Sequence, residues 1–236
     1  MKKIILKTIK FAGFGILAII VTLLITFLVL DEKIPSASPS ADADQFARNI
    51  QEALNYQAYK RTDIISWTFR GKNSYQWNKS NQTVHAKIAK DSVFLNFSNP
   101  RKNKVLKKQS NSSDDEIIEN AIANFNNDSF WVVAPFKLFD PGTKRSIITN
   151  EGGTKELLVT YTSGGTTPGD SYLWRVDENY IPISYKMWVS IIPIGGLEVT
   201  WSDWTTMNSG AQFAKTRKVL GVLEIPVSNL NVSTLK

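Results

Sequence analysis

IISWTFRGKNSYQWNKSNQTVHAKIAKDSVFLNF, residues 64–97, is the stretch from which the architecture of the chain is read. Ile65, Trp67 and Phe69 alternate with Ser66, Thr68 and Arg70, and Tyr75 and Trp77 share the next face. Val84, Ala86 and Ile88 alternate with His85 and Lys87, and Val93, Leu95 and Phe97 follow. A period of two means strands with one face buried and the other in water. The segments between them are short and polar, so successive strands pair as hairpins. The stretch predicts an antiparallel meander with one buried face.

Downstream the same period returns. Leu157, Val159 and Tyr161 share a face, as do Tyr172, Trp174 and Val176. Ile183, Tyr185, Met187, Val189 and Ile191 alternate over nine residues, and Leu197, Val199 and Trp201 follow a Gly195-Gly196 turn. Weaker strand patterns lie at 211–217 and 221–227. With one near residue 145, this gives roughly ten strands. No helices alternate with them as crossovers, so the class is α+β and not a parallel α/β sheet.

Two helical patterns interrupt the strands. One begins near Asp42, where Asp42 and Gln45 have capping-box spacing, and carries Phe46, Ile50, Leu54 and Ala58 at four-residue intervals. The other covers 113–125, with Asp114, Asp115 and Glu116 in its first turn and Ile117, Ala121, Ile122 and Phe125 on one face. FWVVAPFKLFDPGT, residues 130–143, follows; Pro135 and Pro141 predict an irregular, stiff path back to the sheet. Its aromatics Trp131, Phe136 and Phe139 are expected to clamp the open edge of that sheet.

Upstream, residues 11–30 read FAGFGILAIIVTLLITFLVL, twenty residues without a charge. As a helix they measure about 30 Å, the thickness of a bilayer core. Lys2, Lys3, Lys7 and Lys10 precede them, and Asp31 and Glu32 follow. The positive-inside rule puts the N-terminus in the cytoplasm and the remainder across the inner membrane, in the periplasm. A cleaved signal peptide has a shorter apolar core, about 7–15 residues, so a retained signal anchor is expected. Residues 31–41, rich in Pro, Ser and Ala, read as a linker, and 42–236 as the exported domain.

Composition narrows the chemistry. The chain has 236 residues, no cysteine and one histidine. That excludes disulfides, thiolate nucleophiles and multi-histidine metal sites within one chain. The formal charge is +7, but four of the 28 basic residues precede the apolar run, leaving 24 against 21 acidic ones. A nucleic-acid partner is not expected from so small an excess. His85 lies on a polar strand face, and no serine sits in a G-x-S-x-G elbow. Asp140, Asp170 and Asp203 could make a carboxylate site only if the fold gathered them. Neither a catalytic residue, a metal site nor a cofactor is expected; a hydrolase is the remote alternative. YTSGGTTPGD, residues 161–170, has strands on both sides and reads as a hairpin loop, not a phosphate-binding loop. RKNKVLKK, residues 101–108, reads as a solvated edge strand or loop, with contact to anionic headgroups as the alternative.

Three blocks carry a resemblance: APFKLFDPGT (134–143, after Trp131), YTSGGTTPGDSYLW (161–174) and KMWVSIIPIGGLEVTWSDW (186–204). Together they resemble a family of uncharacterised exported proteins of Bacteroidetes-type bacteria, from which no activity is carried over. Over residues 42–228 the order of elements also resembles, more loosely, the LolA/LolB-like lipoprotein carrier fold. That resemblance implies a large curved sheet, a half-barrel, with helices on its concave side and an interior that holds acyl chains. Carriers of that class are soluble and receptors lipid-anchored, so an anchored helix makes tethering, not shuttling, the expectation.

Seven Trp, seven Tyr and twelve Phe, many on alternating strand positions, supply either a core or a cavity wall. The candidate lining residues are Trp67, Phe69, Trp77, Leu95, Phe97, Trp131, Phe136, Phe139, Tyr161, Trp174, Met187 and Trp201. Trp188 stands apart. Its strand neighbours Ser184, Lys186 and Ser190 are polar, so it is either an outward contact for a partner or a membrane, or covered by residues 130–143. The expected function is non-catalytic binding of a lipid or acyl chain; the alternative is a protein–protein interaction module with a filled core.

Overall fold

Tight turns begin the fold. Arg70 and Gly71 both have positive φ, 50° and 65°, and Lys72 N–H donates to Phe69 O at 3.0 Å. This is a type I′ turn, whose twist matches that of paired strands. Leu220 and Gly221 repeat it, with φ of 51° and 71°. Gly at the second central position meets the left-handed requirement without a Cβ clash.

The computed structural model describes residues 30–164 and 167–234, with 14, 15 and 22 besides. Two helices come first, α1 (Ala41–Ala53) and α2 (Tyr56–Arg61). A meander follows: β1 (Ile64–Phe69), β2 (Asn73–Asn78), β3 (Thr83–Ile88), β4 (Asp91–Asn96) and the edge strand β5 (Lys104–Lys107). Helix α3 (Asp114–Val133) then leads into a second run, β6 (Thr143–Thr149), β7 (Lys155–Tyr161), β8 (Ser171–Val176), β9 (Pro182–Trp188) and β10 (Leu197–Ser202). A short ribbon, β11 (Thr205–Thr206) with β12 (Gln212–Phe213), precedes β13 (Thr216–Val219), β14 (Leu223–Glu224) and β15 (Val227–Ser233).

The strands form a six-stranded sheet in the order β15-β1-β2-β3-β4-β5 and a seven-stranded sheet in the order β14-β13-β10-β9-β8-β7-β6. The described pairings are antiparallel. β14 leads directly into β15, so the sheets adjoin there. Arg70 N–H donates to Pro226 O at 2.8 Å, which extends the β1–β15 ladder up to the junction. Among the described residues β5 and β6 have no outer strand partner, and the assembly stays open. The expected α+β class is what is found. The strand count is higher than ten: the patterns at 211–217 and 221–227 resolve into β12, β13 and β14, and the two-residue β11, the basic β5 and the C-terminal β15 lie outside the alternating stretches.

The helices share one core with both sheets. Ile50, Leu54 and Ala58 are fully buried, as the four-residue spacing predicts, with Trp67, Leu95, Leu157, Trp174, Tyr185 and Trp201 at 2% exposure or less. Burying Leu54 alone stabilises the fold by roughly 1.5–3 kcal/mol. The cap of α1 is Ser40, whose side chain accepts from Ala43 N–H at 3.2 Å, and not Asp42. Asn55, at φ 55°, ends that helix and caps α2. Between α2 and β2, Lys79 Nζ lies 3.7 Å from the Tyr59 ring centre. Burial pulls its ammonium down to about 8 from an ordinary 10.5. The folded state therefore holds that proton less tightly than the unfolded chain. The resulting cost is present below pH 8 and is relieved as pH rises towards 10.5. Because Lys79 is part exposed and screened, unfolding in urea at pH 10 should need about 1 kcal/mol more than at pH 7.5, and Lys79→Met should remove that slope.

Helix α3 differs most from expectation. A capping box starts it, Ser113 with Glu116, but it runs to Val133 and not to 125. Pro135 does not interrupt it. The proline occupies the first turn of the 3-10 helix Ala134–Phe136, where a missing N–H costs nothing. Phe130 and Trp131 are thus helical. Asp128, 2% exposed, fastens α3 to β2 by accepting from Tyr75 Oη at 2.6 Å and from Asn73 Nδ2 at 2.9 Å.

Among the described residues no helix is long and apolar enough to cross a membrane. The anchor expected at 11–30 falls almost wholly outside the described residues. Residues 31–37 are not a free spacer: they strap across the outer face of the seven-stranded sheet. Glu32 N–H donates to Gly195 O at 3.0 Å, Gly195 N–H donates to Asp31 Oδ1 at 2.8 Å, and Ser146 Oγ donates to Ala37 O at 3.2 Å.

Candidate functional site

Between α3 and the seven-stranded sheet the core leaves a cavity of about 730 Å³. That is within the ordinary range of small-molecule sites, about 300–1,000 Å³. Helix α3 supplies Phe125, Phe130 and Trp131. β7, β8 and β9 supply Tyr161, Tyr172, Tyr185 and Met187, residues on one face because they stand two apart or directly opposite in register. Trp77 of the six-stranded sheet and Val189, Ile191 and Ile192 beyond β9 complete the apolar part.

The aromatic rings pack on one another, Phe130 on Tyr161 and Tyr172 on Tyr185 edge to face and Phe130 on Tyr172 tilted. Phe130 lies 4.6 Å from Tyr172 and 5.7 Å from Tyr161, and Tyr172 lies 5.2 Å from Tyr185. Such contacts hold each ring in place beyond simple burial. Burial pushes the hydroxyls of Tyr161, Tyr172 and Tyr185 well above the ordinary tyrosine range; nearby Asp140, Asp170 and Tyr172, respectively, push the same way. The phenols of the wall therefore stay neutral across the physiological range. Charge enters the lining through Lys137, paired with Asp140, and through Asp170. Asp170, 7% exposed, ties two loops together by accepting from Ser190 N–H at 3.0 Å and from Thr167. The arrangement suits an apolar molecule whose polar end reaches this charged part of the lining.

Four of the twelve candidate lining residues line this cavity: Trp77, Trp131, Tyr161 and Met187. The rest lie elsewhere. Trp67, Leu95, Trp174 and Trp201 are packed in the core at 2% exposure or less, and Phe69 is 5% exposed against Trp131. Phe97 is partly open and packs on Phe125 at 5.3 Å. Phe136 stacks on Tyr59 at 4.0 Å, and Phe139 lies beneath the Arg145 guanidinium at 4.3 Å. They fill the region under α1 and α2 instead of clamping an open edge. Sequence reasoning missed Phe125, Phe130, Tyr172 and Tyr185. Tyr172 and Tyr185 share faces with Trp174 and Met187, so the alternation contained them; the extra turns of α3 beyond residue 125 carried no comparable signal.

Trp188 is not an outward contact. It is 7% exposed, clusters with Leu158 and Leu173 on the outer face, and donates from Nε1 to Glu32 O at 2.7 Å. The cover is residue 32 of the strap, not residues 130–143. Lys186 Nζ holds the Glu32 carboxylate at 2.7 Å. Asp140 and Asp170 both reach the cavity, whereas Asp203 follows β10 and is not in its lining. Among the described residues no three His, Cys, Asp or Glu side chains are grouped to hold a metal. Arg217 is fully buried, with its guanidinium 4.7 Å from the Trp201 ring centre and Nη2 donating to Ala214 O at 2.8 Å.

No family model and no curated protein matches the chain. Among solved structures, a DUF1329 family protein from Desulfovibrio piger aligns over 83% of this chain and 93% of its own, with 11% identity and a TM-score of 0.38. A putative outer membrane lipoprotein-sorting protein domain from Vibrio parahaemolyticus aligns over 80% of this chain and 95% of its own, with 10% identity and a TM-score of 0.33. Both alignments are loose, and neither assigns a ligand to this chain.

Proposed function

We propose that the chain is an envelope protein, anchored in the inner membrane by residues 11–30, that holds a lipid or acyl chain in the cavity between α3 and the seven-stranded sheet. It binds without catalysing a reaction. The observation that carries this reading is the cavity itself: about 730 Å³, walled mainly by aromatic and aliphatic side chains, with polar side chains on α3 (Asn124, Asn126, Asn127, Ser129) and in the loops that carry Lys137, Asp140 and Asp170. The two sheets together act as a half-barrel, and α1 and α3 occupy its concave side. Retention of the anchor makes the protein a tethered holder or acceptor rather than a free carrier.

The test uses the full chain, because residues 31–37 are packed on the sheet and a shorter fragment would lose them. Native mass spectrometry after release from a nanodisc, followed by organic extraction, should find one co-purifying lipid or fatty acid per chain. Ala123→Trp places an indole in the lining from a half-buried position on α3. It should weaken uptake of a fluorescent fatty acid by about tenfold or more while leaving the melting transition in place. A clean apo mass with no uptake of added lipid sinks the reading.

A further inference from the structure

The start of the strap, the lip of the cavity and the most exposed apolar side chains all occupy one end of the seven-stranded sheet. Register places them there. Ser171 pairs with Trp188, so residues 161–170 and 189–196 leave the sheet at the same end. Val199 pairs with Val219, which brings the turn at 220–222 alongside, and Leu220 N–H donates to Glu198 O at 2.9 Å. At this end Val222 is 83% exposed, Ile191 68% and Leu223 59%, the highest values among the large apolar residues described beyond residue 30. Ile191 also lines the cavity, which makes it a rim residue.

The strap fixes where this end lies relative to the uncharged run. That run ends at Leu30, and the next two residues are bonded to Gly195 and Trp188. No slack separates residue 30 from the cavity rim. The fit is close: a Cβ on Gly195 would lie 2.5 Å from Glu32 O and 2.5 Å from Trp188 Cδ1, so the strap seats only on glycine. If residues 11–30 cross a bilayer, residues 31 and 32 leave it at the headgroup level. The rim must then lie at that level too.

We propose that this end of the domain, carrying Ile191, Leu220, Val222 and Leu223, rests in the bilayer interface, and that the cavity exchanges its ligand directly with the lipid leaflet. The proposal rests on the anchored, lipid-holding reading above and adds the face and the route. Isolated exposed apolar side chains are ordinary on a protein surface. A group of them at one end, beside the exit point of a twenty-residue apolar run, is what an interfacial contact requires.

The absence of cysteine makes the test clean, because one introduced cysteine gives one label. The full chain is placed in nanodiscs of phosphatidylethanolamine and phosphatidylglycerol, with or without nitroxide-bearing lipid. Ile191→Cys and Val222→Cys, each labelled with an environment-sensitive fluorophore, should be quenched several-fold more than Glu178→Cys, in the β8–β9 turn at the opposite end. Gly195→Val, which displaces the strap and crowds Trp188 on the outer face, should lower quenching at 191. Equal quenching at 191, 222 and 178 overturns the proposal, as does a chain that does not enter the nanodisc. Strong quenching at 191 and 222 with an apo mass keeps the docked face and removes the cavity ligand; co-purified lipid with no quenching keeps the ligand and removes the face.

Discussion

Asp128→Ala should destabilise the domain by about 3–5 kcal/mol, the penalty for removing one partner of a buried charge-assisted network. Asp128 is 2% exposed and accepts from Tyr75 Oη, Asn73 Nδ2 and Asn127 Nδ2. Its loss strands the Tyr75 hydroxyl in the core. Tyr75→Phe should cost less, about 1.5–2 kcal/mol, because it leaves Asp128 its two amide donors. In the double variant the two losses should be far from additive. Asp115→Ala, in the exposed first turn of the same helix, should stay within about 0.5 kcal/mol of the parent. Urea unfolding followed by tryptophan fluorescence measures all four. The bond holds the middle of α3 against β2, so Asp128→Ala should also let the cavity wall at Phe125, Phe130 and Trp131 move and shed ligand. A loss below about 1 kcal/mol would remove Asp128 as the clasp of that helix.

Trp174→Ala should cost about 3–5 kcal/mol, as large aromatic truncations in cores do, yet leave ligand affinity nearly unchanged in the protein that remains folded. Trp174 is fully buried, 4.9 Å from Tyr185 and 5.6 Å from Trp201 by ring centres, and is not part of the cavity lining. Its indole N–H has no hydrogen-bond partner among the described residues. Trp174→Phe therefore loses volume but no bond, and should cost much less than the alanine. Tyr172→Ala, two residues away on the same strand face, should do the opposite: a smaller stability loss, and ligand uptake weakened by about tenfold. Fatty-acid titration beside urea unfolding separates the two positions. Equal effects on affinity would mean that the ligand reaches deeper than the cavity wall.

That contrast shows what the sequence could convey. Period-two alternation put Tyr172 and Trp174 on one face correctly, as it did Tyr185 with Met187 and Ile65 with Trp67. The face says inward, but not how deep. Depth depends on what the opposite layer brings, and here that is α3, two turns longer than its apolar spacing indicated, with Pro135 placed where it does not interrupt it. Phe136 and Phe139, read as cavity residues, went instead to Tyr59 and Arg145 beneath α1 and α2. Trp188 was misplaced for a related reason. Its polar strand neighbours describe a solvated face correctly, but a strap from more than a hundred residues upstream covers it, and Asp31 and Glu32 bear no local mark of that role. The antiparallel class, the fully buried stripe at Ile50, Leu54 and Ala58, and the edge character of residues 104–107 were legible because each is set by local spacing or charge.

Pairing of β1 with β15 joins Ile64 to Ser233, residues from opposite ends of the domain. β1 to β4 are successive hairpins and can form while the chain is still being made, each from neighbours only a few residues apart. The outer edge of β1 has no such neighbour. It waits, with the backbone groups of Ile64 to Phe69 that face away from β2 unpaired, until nearly all of the chain is available. Until then that edge is a template for wrong partners, including the same strand of another molecule. The order in which the chain becomes available, and not only the final packing, thus bears on how much of this protein reaches its fold.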